Sequence, residues 1–229
     1  TTIFLCKNIQ GAKLGYTQSD EISILVTDYD KLTSQAWFDY SVQKMTSISA
    51  SLATSKFNQL RLFNFINNFP DIPDDIPADP LDYYNDSKLA QFDSRAFNIP
   101  KEEVANYFLA RQKDAVKNSI AMLAQSLYSH KELHGKNGNE MQEMCFQKGH
   151  NWNDLHWPKK RGTTVVKRTY EVNIDPDKNI RKQIDFVENT GINPNISSNV
   201  KAIRSKWEAV ETPMTFDEEY FKKFVNVGD

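Results

Sequence analysis

The sequence has no long hydrophobic run, little cysteine and almost no net charge. None of its 229 residues lies in a stretch approaching the roughly 18 consecutive apolar residues that a membrane-spanning helix needs. Its two cysteines, Cys6 and Cys145, argue against a disulfide framework and favour the reducing cytoplasm. The 28 basic and 30 acidic residues leave a formal charge of −2, so any surface for nucleic acid must be a local patch.

The apolar content is sufficient for a core. Hydrophobic residues make up 39% of the chain, with 14 Phe, 9 Tyr and 4 Trp, which fits one large domain or two small ones. The first ten residues lack the basic flank and apolar centre of a signal peptide and contain no Met, so we expect that the natural chain begins earlier.

The first third of the chain predicts a helix, a hairpin and a longer helix. Residues 1–10 have helical apolar spacing, and residues 12–16 and 22–26 alternate as two strands of a hairpin. Residues 33–62 contain no Pro or Gly and repeat apolar side chains every three or four positions, which predicts a long helix packed on the sheet. Asp20 and Glu21 then fall at the tip of the hairpin.

The remaining elements are predicted less regularly. Residues 67–86 carry four prolines and six aspartates, which indicates an exposed loop. We predict a short strand over residues 91–99, helices over 100–129 and 139–148, and a further strand over 163–172. The Asn- and Asp-rich residues 173–199 predict a hairpin or a mobile excursion.

The paired carboxylates of Asp20 and Glu21 have two interpretations. They are a solvated polar turn, or they hold a divalent cation, because Mg²⁺ prefers carboxylate oxygens on a rigid support and leaves positions for water and phosphate. In the second case Asp20 is the ligand. Two-metal phosphoryl transfer then requires a second aspartate from a neighbouring strand, which the residue pattern does not supply.

A polar stripe lies on the helix predicted over residues 100–129. Arg111, Asp114 and Asn118 fall on one face at intervals of three and four. The stripe is either a solvated face with an internal ion pair or the lining of a nucleotide or RNA site, in which Arg111 grips phosphate in a bidentate manner.

A short basic cluster precedes the strand predicted over residues 163–172. Lys159, Lys160 and Arg161 stand before Gly162, where the backbone can approach a ligand closely. Short basic runs are common on surfaces, but beside a metal site this cluster suits a triphosphate.

The histidines offer a rival hypothesis. Five potential zinc donors lie within 27 residues, although their spacing matches no standard finger: His130, His134, Cys145, His150 and His156. Trp152 and Trp157 are nearby and are either base-stacking platforms or, more in keeping with a loop, buried anchors.

Six segments together resemble the tRNA-histidine guanylyltransferase family and its guanylyltransferase-like relatives over residues 1 to about 168. Their order and distances are more specific than any single motif: GYTQSDEIS (15–23), a long helix with Gln43 and Lys44, FDSRAF (92–97), RQKDAVKN (111–118), NWNDL (151–155) and KKRGT (159–163).

The resemblance implies an α+β fold: a ferredoxin-like polymerase palm with an antiparallel sheet packed on long helices and a C-terminal extension. It implies a palm-like catalytic domain over residues 1–130 with a loop insertion at 64–90, and a C-terminal RNA- and triphosphate-binding region over 131–229. The implied activity is template-dependent 3′-to-5′ addition of nucleotides, GTP preferred, to the 5′ end of tRNA or tRNA-like RNA. The resemblance further implies two Mg²⁺ ions per site, ATP and GTP as substrates, and a homotetramer.

The resemblance also implies roles for individual residues. Asp20 matches a metal-binding aspartate and Glu21 its catalytic neighbour, while Ser19 is expected near the triphosphate. Lys160 and Arg161 match a basic pair before a glycine. Five further positions match residues that the family uses around nucleotides and tRNA: Lys44, Arg95, Arg111, Asp114 and Asn118.

Two departures qualify this resemblance. Enzymes dedicated to histidine tRNA have His-Ile-Asn-Asn where residues 116–119 read Val-Lys-Asn-Ser, which favours the guanylyltransferase-like branch that repairs tRNA 5′ ends. The family's first metal aspartate lies on a strand before the first helix, and no residue of this sequence occupies that place. A catalytically incomplete nucleotide- or RNA-binding module therefore stays open beside the enzyme, as does a zinc-stabilised RNA-binding protein.

Overall fold

A four-stranded antiparallel sheet, in the order β2-β1-β3-β4, organises the chain. The computed structural model describes residues 1–29, 32–68, 89–173, 201–213, 216–217 and 219–221. Its strands are β1 (Ala12–Gln18), β2 (Glu21–Val26), β3 (Thr163–Asn173) and β4 (Lys201–Glu211). Its helices are α1 (Thr2–Asn8), α2 (Val42–Asn68), α3 (Val104–Leu127), α4 (His130–Leu133), α5 (Gly138–Gln147) and α6 (Trp157–Arg161).

The predicted hairpin is present, and its turn is two residues long. Gln18 at the end of β1 pairs with Glu21 at the start of β2, so Ser19 and Asp20 form the turn. The alternation of side chains along each strand sends Leu14, Tyr16 and Gln18 to one face and Gly15 and Thr17 to the other. The predicted position of the two carboxylates at the hairpin tip is confirmed.

The core on the first face is built around α3. Tyr16 and Phe108 are each 2% exposed, and their rings meet edge to face with centroids 6.4 Å apart. Leu14 and Val166 are fully buried beside them. Phe216 and Phe221 from the C-terminal segment close this core, which fixes α3 across the strands next to the hairpin turn.

The opposite face carries α1 and α2. Gly15 allows α1 to lie directly on the sheet, because a Cβ there would come within 2.7 Å of the Cys6 sulfur. Ala53 of α2 packs against Leu5 and Ile9, and the Lys56 ammonium stands 5.5 Å from the ring centroid of Phe4. Helix α2 therefore runs antiparallel to α1, with its C-terminal half towards the hairpin turn.

One predicted helix begins later in the structure, and one predicted strand is not formed. The long helix begins at Val42, because the chain before it forms a 3₁₀ turn, Trp37–Tyr40, in which Phe38, Asp39 and Tyr40 have positive φ angles. The prediction of a strand over residues 91–99 is wrong. Its polar groups bind α2 instead: the Phe92 amide donates to the Thr54 hydroxyl at 3.1 Å, and the Ser49 hydroxyl donates to that of Ser94 at 2.7 Å.

Strand β4 was not predicted. It pairs with β3 along its whole length, from Thr163 opposite Glu211 to Asn173 opposite Lys201. The sheet thus draws strands from both sides of residue 130, and the division there stays a prediction. The expected loop and hairpin fall largely at residues 69–88 and 174–200, outside the described residues. Among the residues that are described, no helix is long and apolar enough to cross a membrane.

Candidate active site

The hairpin turn presents two carboxylates that are used differently. Ser19 has a φ of 49°, and Ser19, Asp20 and Glu21 are all exposed. Glu21 points to the α3 side of the sheet and forms an ion pair with Arg111. The Asp20 carboxylate has no ion pair within the described part of the chain. It is therefore the carboxylate of this turn that is free to bind a cation.

Arg111 stands between two acids. Its side chain is 26% exposed and contacts Glu21, and its other terminal nitrogen lies 3.8 Å from the Asp114 carboxylate, one turn further along α3. The internal ion pair and the functional interpretation of this stripe are thus compatible. Asn118 follows on the next turn and is exposed. This face of α3 extends from the hairpin turn towards α6.

The basic cluster lies at the same end of the sheet. Thr163, the first residue of β3, pairs with Thr17 of β1, so Arg161 and Gly162 stand level with Gln18 and the hairpin turn. The Lys160 ammonium donates to the Asn153 carbonyl at 2.7 Å and lies 5.8 Å from the Trp152 ring centroid. Helix α6, which carries Lys159, Lys160 and Arg161, is therefore a neighbour of the acidic turn.

Gly162 has a different partner from the one that we expected. Its φ is 78°, and a Cβ at this position would come within 2.5 Å of the Thr17 carbonyl and 2.8 Å of the Tyr16 hydroxyl. The close approach that glycine permits here is therefore to β1 and not to a ligand. It brings the basic cluster against the sheet.

Tyr16 links the sheet to the basic cluster. Its hydroxyl donates to the Arg161 carbonyl at 2.7 Å. Burial raises the pKa of Tyr16 far above its ordinary value, and the positive charge of Arg111 opposes this only in part. Tyr16 is therefore protonated at any pH where the protein works and acts as a donor. The sequence does not distinguish Tyr16, which alternates like any other apolar residue of a strand.

Two candidate residues lie away from this cluster. Lys44 is exposed near the start of α2, and Lys56 at the level of Phe4 follows twelve residues later, about 18 Å along the helix. Because α2 runs towards the hairpin turn, Lys44 lies at the other end of the sheet. The Arg95 side chain is 86% exposed and pairs with Asp93 at 3.5 Å.

The zinc interpretation is wrong for His130, His134, Cys145, His150 and His156. No group of three or more metal-binding side chains occurs among the residues that the structure describes. His130 and His134 have ring centroids 6.5 Å apart, but Cys145 is fully buried in an apolar cluster with Ala124 and Leu133. Burial raises the pKa of this thiol, which disfavours the thiolate that zinc requires. Trp152, 8% exposed, is a buried anchor.

The acidic turn, the arginine of α3 and the basic helix α6 lie at one end of a mixed fold of helices and an antiparallel sheet. Carboxylates beside basic groups are typical of proteins that bind nucleotide phosphates. Comparison with known proteins agrees with this class. The family model described as tRNA(His) guanylyltransferase (Thg1) matches residues 1–100. A search of the curated proteins found no match.

Solved structures extend the likeness over nearly the whole chain. A bacterial tRNA(His) guanylyltransferase (Thg1)-like protein in complex with ATP is 40% identical with a TM-score of 0.68, and the match covers 99% of this chain and 76% of that one. A bacterial protein of the same description in complex with GTP is 38% identical with a TM-score of 0.64, and the match covers 99% of this chain and 75% of that one. The tRNA(His) guanylyltransferase of Saccharomyces cerevisiae is 25% identical with a TM-score of 0.51, and the match covers 69% of this chain and 65% of that one.

The chain belongs to the tRNA-histidine guanylyltransferase family. This family consists of nucleotidyltransferases, so the predictions of the family and of a nucleotidyltransferase are confirmed. The predicted combination of helices with an antiparallel sheet is confirmed, and the ferredoxin-like palm stays a prediction. The roles of individual residues stay predictions.

Proposed function

We propose that this chain is a template-dependent 3′-to-5′ nucleotidyltransferase that adds nucleotides, GTP preferred, to the 5′ end of tRNA or tRNA-like RNA. One observation carries the proposal: the acidic hairpin turn, Arg111 and the basic helix α6 lie together at one end of the sheet. Phosphoryl transfer needs little covalent chemistry from the protein and depends on positioning and on stabilisation of charge. Carboxylate and basic groups side by side suit that task.

The reaction would join the 3′ oxygen of an incoming nucleotide to the 5′ phosphorus of the RNA. AMP leaves if ATP has first activated a 5′ phosphate, and pyrophosphate leaves if the RNA carries a triphosphate. Arg111 and Arg161 bind the phosphates, since a guanidinium matches two phosphate oxygens at once, and the Lys160 ammonium adds a point charge. Ser19, Asp114 and Asn118 line the approach, with Lys44 and Arg95 contacting RNA or nucleotide further away.

The donor set at the hairpin fits Mg²⁺ that is shared with phosphate and water. Mg²⁺ is commonly held by one or two carboxylates together with substrate phosphates, and the unpaired Asp20 supplies one such ligand. Glu21 is the second candidate if Arg111 transfers to phosphate. The ions, when bound, neutralise charge on the phosphates and lower the pKa of the attacking hydroxyl.

The proposed architecture is a palm of ferredoxin-like topology in residues 1–130 and a C-terminal RNA- and triphosphate-binding region, assembled as a homotetramer in the cytoplasm. The β1–β2 hairpin, with α1 and α2 packed together on one face of the antiparallel sheet, supports the palm. The ATP and GTP in the two bacterial relatives support the proposed substrates.

The second candidate is a nucleotide- or RNA-binding module that lacks catalysis. The observation in its favour is that Glu21 is already paired with Arg111, which leaves Asp20 as the unpaired carboxylate of the described hairpin. Such a module would bind GTP and tRNA but would not extend the RNA.

Asp20→Asn tests the enzyme against the module. With a 5′-labelled tRNA lacking its first nucleotide, ATP, GTP and Mg²⁺, the unaltered protein should add nucleotides and the variant should lose addition while still binding GTP. Glu143→Gln, an exposed carboxylate on α5, is the control and should keep full activity. Near-normal addition by Asp20→Asn would remove Asp20 from the mechanism, and GTP binding without addition by the unaltered protein would favour the module.

A further inference from the structure

Three consecutive backbone carbonyls of the basic cluster each accept a hydrogen bond from a different side-chain hydroxyl. Ser119 donates to Lys160 at 3.1 Å, Tyr16 donates to Arg161 at 2.7 Å, and Thr212 donates to Gly162 at 3.0 Å. The three donors come from three separate parts of the fold: α3, β1 and the residue after β4. We call these three residues the hydroxyl clamp.

The hydroxyl clamp is buried. Tyr16 is 2% exposed, Thr212 1% and Ser119 9%. Thr212 also bonds the Thr164 hydroxyl at 3.0 Å, and Ser119 accepts from the Trp152 indole at 2.9 Å. A hydroxyl that accepts from one neighbour directs its own proton to another acceptor, so a bond donated by Thr164 turns the Thr212 proton towards Gly162. The single proton of Ser119 is shared between the Val116 carbonyl of its own helix at 2.9 Å and the Lys160 carbonyl at 3.1 Å.

The clamp has a physical task because α6 cannot fix itself. A helix of five residues is far too short to be stable alone, and its last carbonyls have no partners within the helix. Buried carbonyls without donors are costly. The position of the turn that carries Lys160 and Arg161 is therefore set by the three hydroxyls, together with the contact of Gly162 on Thr17.

We propose that Tyr16, Ser119 and Thr212 are positioning residues for triphosphate binding. They hold the backbone of Lys160 and Arg161 beside the hairpin turn and do not touch the nucleotide themselves. This inference rests on the proposed function, because it takes the basic helix as a phosphate-binding element. Loss of one clamp bond loosens the basic turn and weakens triphosphate binding, while the carboxylates of the hairpin keep their places.

Tyr16→Phe is the sharpest variant. It removes the hydroxyl and keeps the ring, which packs against Phe108 and Phe216 at centroid distances of 6.4 and 5.9 Å. The chain offers a matched control in Tyr128→Phe. The Tyr128 hydroxyl also donates to a backbone carbonyl, that of Met144 at 2.6 Å, but it does so between α3 and α5, away from the basic turn.

The measurement is GTP binding by isothermal titration, with steady-state addition to tRNA as the second readout. Tyr16→Phe should raise the Kd and the KM for GTP about five- to tenfold, the factor that one lost hydrogen bond produces, and should leave kcat within about twofold. Tyr128→Phe should change neither. Unchanged GTP affinity in Tyr16→Phe, a loss confined to kcat, or an equal loss in Tyr128→Phe would each overturn the inference.

Further variants separate this inference from the proposed function. Arg161→Ala tests the basic turn directly: if it leaves GTP binding intact, both the turn's proposed role and the clamp's role are overturned. If Arg161→Ala weakens GTP binding and Tyr16→Phe does not, the inference fails and the proposed function stands. Thr212→Val, which keeps the shape of the side chain, should reproduce the rise in Kd even if Tyr16→Phe fails to fold, and a Kd equal to that of the unaltered protein would count against the clamp.

Discussion

Replacing Gly162 by alanine should show how tightly the basic turn is held against the sheet. Gly162 has φ 78° and ψ −171°, a region that only glycine occupies readily and that costs another residue on the order of 1–3 kcal/mol. The new methyl group would also lie 2.5 Å from the Thr17 carbonyl and 2.8 Å from the Tyr16 hydroxyl. Forcing such a group into a packed site costs about 1–3 kcal/mol more.

We therefore expect Gly162→Ala to lower the free energy of unfolding by about 2–6 kcal/mol, the sum of these two costs. Gly135→Ala is the matched control, since Gly135 has a similar φ of 76° but no atom within 4 Å of an added Cβ. It should cost only about 1–2 kcal/mol, the penalty of the left-handed backbone.

Urea unfolding followed by tryptophan fluorescence measures both values, provided that the m-value is unchanged. Gly162→Ala should also weaken GTP binding, because the basic turn must move away from β1. Equal destabilisation by the two substitutions would refute the close packing of Gly162 on Tyr16 and Thr17, and with it the position of the basic turn.

Two other predictions follow from single side chains. Arg111→Gln should weaken GTP binding about tenfold or more, as loss of a charged phosphate contact does. It should change the free energy of unfolding by less than about 1 kcal/mol, because the partner of Arg111, Glu21, is 57% exposed. A large loss of stability in urea would contradict this. Burial raises the pKa of Cys6 from 9.0 to about 12, so the folded chain keeps a proton that the unfolded chain releases, and unfolding free energy should fall as pH rises through that window. Cys6→Ala should make this fall shallower by one proton, and an unchanged slope in pH-dependent unfolding would show that Cys6 ionises freely.

Local patterns in the sequence determined the elements that surround the candidate active site. Alternation in residues 12–26 predicts the hairpin and sets Asp20 and Glu21 at its tip, since neighbouring side chains of a strand face opposite ways. The spacing of Arg111 and Asp114 predicts one helical face, and the structure has that face with its ion pair. Strand alternation and a helical face depend on residues within four positions of each other, which is the range over which backbone geometry repeats.

Patterns failed where the partner of a group is distant in the chain. Residues 91–99 look like a strand, but their polar groups bind side chains of α2 rather than a neighbouring strand. Strand β4 alternates only weakly and is recognised by its pairing with β3. Lys44 is near the predicted nucleotide residues only if α2 runs the other way, and the contacts of Ala53 and Lys56 with α1 decided its direction.

The composition of the candidate site was decided by the tertiary structure. Tyr16 and Arg161 are 145 residues apart, and their hydrogen bond exists because β3 pairs with β1 at Thr163 and Thr17. The same pairing brings the basic helix beside the acidic turn. Strand order is a property of how the whole chain packs its apolar faces, so the sequence alone determined which groups could handle phosphate, and the sheet decided which of them meet.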